Sequence, residues 1–194
     1  MSLELIIGCM FSGKSSELIR RLKRFKAINN NVLVINSVKD TRATGSVLKT
    51  HDNVTFDCIK TDNLADVVTT PEYIAADVIG VDEAQFFNNL ISFAEYSMAN
   101  DKHLIVAGLD GDYRQHFFGE IMFLVPLANT IDKLSAYCME CKDGTLAHFT
   151  KRTLNSTNQQ EMVGAGDIYM AVCRKHIKDE VDEVILEYIK ELLT

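Results

Sequence analysis

Long apolar runs are missing from this sequence. No stretch approaches the roughly 18 residues that a membrane-spanning helix needs, so no membrane partner is expected. The start, Met1-Ser2-Leu3-Glu4, lacks the basic segment and cleavage region of a secretory leader, and the cytosol (cytoplasm) is the expected compartment. A surplus of positive charge is missing as well: net charge is −7. General nucleic-acid binders usually carry a basic balance or a clear basic stripe, so no nucleic-acid partner is expected. The best local candidate for such a stripe is Arg20, Arg21, Lys23, Arg24 and Lys26, interleaved with Leu18, Ile19, Leu22 and Phe25 at helical spacing. The plainer reading of that face is a solvated helix surface. Internal repeats and low-complexity tracts are absent. Five cysteines without a leader argue against a disulfide framework and point first to metal binding.

What is present suits a folded, soluble protein: 194 residues, 47% hydrophobic and 24% charged. That length holds one α/β domain and a small appended module, and is too short for two complete nucleotide-binding domains. Short apolar runs at Leu3–Ile7, Val32–Ile35, Val78–Val81 and Leu104–Leu109 read as buried strands. Helical patterns lie between them, from Ser15 to about Asn30 and from Leu90 to Ala99, with a shorter helix at Asn63–Val68 broken before Pro71. Lys39–Asp52 reads as loop, and Val54–Ile59 as a strand containing Cys58. The alternation predicts an α/β fold with a mostly parallel sheet and helices on both faces. The pattern changes near Ile131, which divides the chain into an α/β domain (1–130), a small module (131–178) and a C-terminal helix (179–194).

Three motifs carry chemistry. Gly8-x-x-x-x-Gly13-Lys14-Ser15 fits the phosphate-loop pattern in full, following an apolar strand and preceding a helix. Glycines let successive backbone N–H groups face the phosphates, and the helix adds its positive end. The candidate ATP-binding residues are Gly8, Met10, Phe11, Ser12, Gly13, Lys14 and Ser15; Lys14 reaches the β- and γ-phosphates, and Ser15 ligates Mg²⁺. The plain alternative is an incidental glycine-rich turn. Val78-Ile79-Gly80-Val81 runs into Asp82-Glu83. Asp82 suits Mg²⁺, and Glu83 suits the role of general base. Successive strand residues point to opposite sides, which lets the two acids serve different ligands. Otherwise they are an exposed acidic strand end. Cys138-x-x-Cys141 and Cys173-x-x-His176 have metal-ligand spacing for a closed, structural Zn²⁺ site; otherwise they are free thiols and a surface histidine. Cys9 and Cys58 read as apolar fillers.

Together these parts resemble the type II thymidine kinases, the group that includes cytosolic vertebrate and poxvirus enzymes. The likeness runs from about Leu5 to His176. It is carried by Met10–Ser15 and Glu17–Arg21, by Asp40-Thr41-Arg42 and Thr50-His51-Asp52, and by Asp82-Glu83-Ala84-Gln85-Phe86-Phe87. Leu109-Asp110-Gly111, Leu124–Ala128, Cys138-Met139-Glu140-Cys141, Thr150-Lys151-Arg152 and Tyr169–Lys175 complete it. The resemblance implies transfer of phosphate from ATP, with Mg²⁺, to the 5′-hydroxyl of thymidine and deoxyuridine. It implies Glu83 as base, a homotetramer, and nucleoside contacts from Met10, Phe86, Leu109, Phe118, Met162, Val163, Gly164 and Tyr169. It also implies a lasso over the base at about 153–167, so that the small module is a zinc-ribbon/lasso unit. Cys9 stands where the family usually has proline, and Asp112–Phe117 departs from its usual stretch, leaving open whether Tyr113 or Phe118 faces the sugar.

Two other classes compete. Asp82-Glu83-Ala84 superficially matches the acidic box of nucleic-acid-dependent ATPases, although a second motor domain is lacking. A non-catalytic zinc module with a vestigial phosphate loop sits poorly with an intact Lys14, Ser15, Asp82 and Glu83.

Overall fold

The computed structural model describes residues 1–40, 47–49, 55–153 and 168–177. Strands β1 (Ser2–Gly8), β2 (Val32–Ser37), β5 (Ile59–Thr61), β6 (Val78–Val81), β7 (His103–Gly108) and β8 (Thr130–Leu134) form a sheet in the order β5-β2-β6-β7-β1-β8. Every pairing in it is parallel, with Leu5 opposite Val106 and Ile131, and Val81 opposite Ile35 and Val106. The expected α/β architecture is therefore present.

The apolar character of the inner strands β1, β2, β6 and β7 follows from cover on both faces, whereas the edge strand β8 is largely exposed. Along β1, Leu3, Leu5 and Ile7 enter one core with Phe93 and Ala94 of α3 (Leu90–Ala99), while Ile6 enters the other with Leu18, Ile19 and Leu22 of α1 (Lys14–Ala27). Each fully buried aliphatic side chain contributes about 1.5–3 kcal/mol relative to exposure, so the stripe on α1 fixes that helix firmly. Its approach is close: a Cβ at Gly80 of β6 would lie 2.6 Å from Leu22 Cδ1. Asn29, with φ 62, ends the helix region in a left-handed turn.

Several expectations need correction. The region expected as loop contains β3 (Val47–Lys49), paired antiparallel with β4 (Thr55–Asp57). Cys58 does not lie inside a strand but between β4 and β5, buried. The period-2 pattern runs across both short strands and hides the break. Around Pro71 there are two elements, a single 3₁₀ turn at Leu64–Asp66 and a helix α2 (Pro71–Ala75). Proline here starts a helix, since its missing N–H costs nothing at the first position and Thr70 caps the Tyr73 N–H. Strand β8 crosses the boundary drawn at 130/131 and closes the main sheet.

Beyond β8, β9 (Ala136–Tyr137) pairs with β10 (Leu146–Ala147), and β11 (Phe149–Arg152) with β12 (Tyr169–Val172), both antiparallel. A short helix, α4 (Arg174–Ile177), follows. Cys9, Cys138, Ala147, Ala171, Val172, Cys173 and Ile177 share a small core that ties this part to the phosphate loop. The expected loop contacts at Thr41, Arg42 and 50–52, the lasso from 154 to 167 with Met162, Val163 and Gly164, and the helix at 179–194 lie outside the described residues.

Candidate active site

The phosphate loop leaves the sheet at the C-terminal end of β1. Gly8 has φ 148, and a Cβ there would lie 2.4 Å from the Leu134 carbonyl oxygen, so no side chain fits. The chain then turns through Phe11 (φ 63) and Gly13 (φ 84) before α1 begins at Lys14. Left-handed backbone of this kind turns N–H groups inward at a helix N-terminus, which is an anion site. The loop closes on itself: Ser12 Oγ and Lys14 Nζ both donate to the Cys9 carbonyl, at 2.8 and 2.7 Å. Burial pushes the Lys14 ammonium pKa down, and the titratable groups around it, Glu83 first, then the Cys9 thiol, Asp82 and Asp110, oppose that shift.

Asp82 sits at the end of β6, 1% exposed, and accepts a hydrogen bond from Ser15 Oγ at 2.7 Å. A carboxylate and a hydroxyl so placed are hard oxygen donors of the kind Mg²⁺ takes. Glu83 departs from the alternation expected of a strand. Its backbone is left-handed (φ 50, ψ 42) and opens a 3₁₀ turn, Ala84–Phe86. Glu83 is therefore carried by a turn and not by the strand. Gln85, 2% exposed, holds the result: its Nε2 donates to Glu83 Oε2 at 2.6 Å, and its Oε1 accepts from the Leu109 N–H at 3.0 Å.

The residues expected at the nucleoside fall into two groups. Phe86 and Phe118 meet edge to face, with centroids 5.5 Å apart, and Leu109 joins them through Gln85. Met10 and Tyr169 join through the β11–β12 hairpin. The Met10 N–H donates to Thr150 Oγ1 at 3.0 Å, and Arg152 Nη2 donates to the Tyr169 hydroxyl at 3.0 Å. The Arg152 guanidinium also lies 3.8 Å from the centroid of the Tyr113 ring. Phe118 is buried against Phe86, whereas Tyr113 is half-buried under Arg152.

Gln85, Thr150 and Arg152 have no role by motif, although all three lie in segments that carry the family resemblance. The signal was polarity in the wrong place. Thr150 and Arg152 are two apart on a strand and share its buried face, and Gln85 follows a buried acidic strand end.

Cys138, Cys141, Cys173 and His176 converge, with all four ligand atoms within 4.8 Å of one another. His176 Nδ1 is 3.6, 3.5 and 3.4 Å from the sulfurs of Cys138, Cys141 and Cys173, and the sulfurs of Cys141 and Cys173 are 3.7 Å apart. Burial by itself raises the Cys138 thiol, yet the backbone groups of Cys141, Cys173 and Glu140, with His176, bring it down to about 6. Burial and the neighbouring sulfurs push Cys141 up to about 11. Three cysteine sulfurs with one imidazole nitrogen this close together are a fitting donor set for tetrahedral Zn²⁺, which takes cysteine as the thiolate. Cys9 and Cys58 are buried, with thiols raised chiefly by burial; Cys9 packs in the small core that includes Cys138 and Cys173 but is not one of the four converging ligands.

On the basic face of α1, two of the five cations are matched by acids among the described residues. Arg20 pairs with Glu17 at 2.6 Å, and Arg21 meets Glu4, Glu17 and Asp132 at 2.6–2.8 Å. No helix among the described residues is long and apolar enough to cross a membrane.

Comparison with known proteins follows the same lines. The thymidine kinase family model matches residues 1–177. A thymidine kinase of Myxoma virus (strain Uriarra) is 45% identical over 174 residues, covering 89% of this chain and 94% of that protein. The cytosolic thymidine kinase of Cricetulus griseus is 45% identical over 172 residues, 89% of this chain and 71% of that protein. Thymidine kinase a of Arabidopsis thaliana is 42% identical over 183 residues, 90% of this chain and 74% of that protein.

Proposed function

The chain belongs to the thymidine kinase family, and on that premise we propose that its cleft transfers the γ-phosphate of ATP to the 5′-hydroxyl of thymidine or deoxyuridine, giving the monophosphate. One observation carries the assignment to this cleft. Lys14, Ser15, Asp82 and Glu83 meet at the C-terminal edge of one parallel sheet, with Ser15 bonded to Asp82 and Lys14 electrostatically coupled to both acids. That edge is where open α/β sheets bind their ligands.

The chain's own groups divide the work. Backbone N–H groups of the Gly8–Ser15 loop hold the phosphates of ATP, apart from that of Met10, which donates to Thr150, and Lys14 balances the charge that builds on the transferring group. Ser15 and Asp82 would hold Mg²⁺, which when bound neutralises phosphate charge and keeps donor and acceptor aligned. A nucleoside hydroxyl is a weak nucleophile. Glu83 orients it in line with the γ-phosphorus and accepts its proton as the new bond forms. Gln85 keeps the Glu83 carboxylate facing the acceptor. Phe86, Leu109 and Phe118 on one side, and Met10 and Tyr169 on the other, give the flat apolar surfaces a pyrimidine needs.

Around this core, residues 131–178 act as a zinc-stapled unit over the nucleoside, with β8 contributed to the sheet; Met162, Val163 and Gly164 would reach the base. The zinc is structural, because four protein ligands leave no position for water. Resemblance supports a homotetramer, and the cytosolic name of the Cricetulus griseus relative supports the same compartment here. The test is a panel of nucleosides, and separately DNA, incubated with γ-labelled ATP. Labelled thymidine monophosphate supports the reading. DNA-stimulated phosphate release with no labelled nucleoside refutes it.

A further inference from the structure

Arg152 is unusual in being a cation held at 3% exposure, in the strand pair that carries Tyr169. Burying a guanidinium costs several kcal/mol unless its surroundings compensate. Among the described residues, two aromatic rings lie against it. The guanidinium carbon lies 3.8 Å from the centroid of Tyr113 and 5.4 Å from that of Tyr169, and Nη2 donates to the Tyr169 hydroxyl at 3.0 Å. These two rings come from separate parts of the chain. Tyr113 belongs to the loop after β7, whereas Tyr169 begins β12 directly opposite Arg152 in the β11–β12 ladder.

We propose that Arg152 is the positioning residue of the acceptor pocket: its planar cation stacks on Tyr113, holds the Tyr169 hydroxyl, and so fixes the nucleoside-facing ring to both the sheet and the zinc-stapled hairpin. This rests on the reading of the cleft as a pyrimidine nucleoside site. Two neighbours sharpen the argument. Thr150, two residues earlier on the same buried face of β11, accepts from the Met10 N–H of the phosphate loop. The loop bearing Tyr113 is itself held rigid by Asp112, whose Oδ1 accepts from the Arg114 and His116 N–H groups at 2.8 and 2.9 Å. Arg152 therefore joins two braced walls. Lysine has no planar fork to stack on one ring while bonding the other residue's hydroxyl. With the guanidinium removed, Tyr169 keeps its ring but loses its orientation, so thymidine binding suffers while ATP binding does not.

Steady-state kinetics of the full chain test this with Arg152→Met, Arg152→Lys and Tyr169→Phe. Loss of a charge-assisted contact of this kind corresponds to about a tenfold weakening. Arg152→Met is expected to raise the KM for thymidine about tenfold, with the KM for ATP held within about twofold. Arg152→Lys should recover little of the loss. Tyr169→Phe keeps the ring and loses only the bond; it should raise the thymidine KM on its own and add almost nothing to Arg152→Met. An unchanged thymidine KM in Arg152→Met overturns the proposal, and so does an equal rise in both KM values. If Arg152→Met does not fold, Tyr169→Phe decides: an unchanged thymidine KM there also overturns it. Failure of the unmutated chain to phosphorylate thymidine contradicts the parent reading instead, and is seen without any variant.

Discussion

Replacing Glu83 by glutamine keeps nearly all of the local structure and removes one chemical capability. The left-handed turn at position 83 strains glutamine no more than glutamate, and the new amide oxygen still accepts from Gln85 Nε2, now 2.6 Å from the carboxylate. Ser15 and Asp82 are untouched. The lost element is proton acceptance, which is worth about 10²–10⁴ in rate. A hundredfold loss corresponds to about 2.7 kcal/mol of transition-state stabilisation. The expected result is single-turnover phosphate transfer slowed at least about a hundredfold, with equilibrium affinities for ATP and thymidine near those of the unmutated chain.

The charge change has a second consequence. Burial lowers the Lys14 pKa, and Glu83 is the largest group opposing that shift. With Glu83 neutral, Lys14 loses its proton at lower pH than before. The alkaline limb of kcat/KM for ATP, which reports the free enzyme, therefore moves to lower pH in Glu83→Gln. A variant that keeps its transfer rate, or loses only nucleoside affinity, refutes the role of base. An unmoved alkaline limb refutes the electrostatic link to Lys14.

The two remaining predictions concern the phosphate loop and the metal. Lys14→Ala removes the cation that bonds the Cys9 carbonyl and faces Asp82 and Glu83; turnover is expected to fall by orders of magnitude with the circular-dichroism spectrum retained, and near-normal turnover in the folded variant contradicts the assignment. Elemental analysis is expected to find one Zn²⁺ per chain, lost in Cys138→Ser together with a fall in the thermal midpoint; zinc-free protein purified without chelator contradicts the Cys3His site.

Much of the molecule was legible in the sequence because the relevant signals are local. The buried parallel strands are short apolar runs, and the phosphate loop and the metal ligands are fixed spacings, so Gly8–Ser15 and the Cys3His set could be read directly. What escaped depends on contacts between distant segments. Nothing local announces that Val47–Lys49 pairs with Thr55–Asp57, or that Thr130–Leu134 closes the sheet beside β1. Strand alternation does not extend to Asp82 and Glu83, because β6 ends at Val81 and Glu83 has a positive φ, and a glutamate gives no hint of that conformation. Gln85 and Arg152 acquire their roles only when Leu109, Tyr113 and Tyr169 arrive from elsewhere in the chain.

The most direct measurement follows the label from γ-labelled ATP into nucleoside product, with the purified chain, Mg²⁺ and thymidine, and with Lys14→Ala as the matched control. The account predicts that the label appears as thymidine 5′-monophosphate, that deoxyuridine also accepts it, and that the Lys14→Ala protein yields almost none. Label released only as inorganic phosphate, or equal product from Lys14→Ala, would contradict a nucleoside kinase working through this cleft.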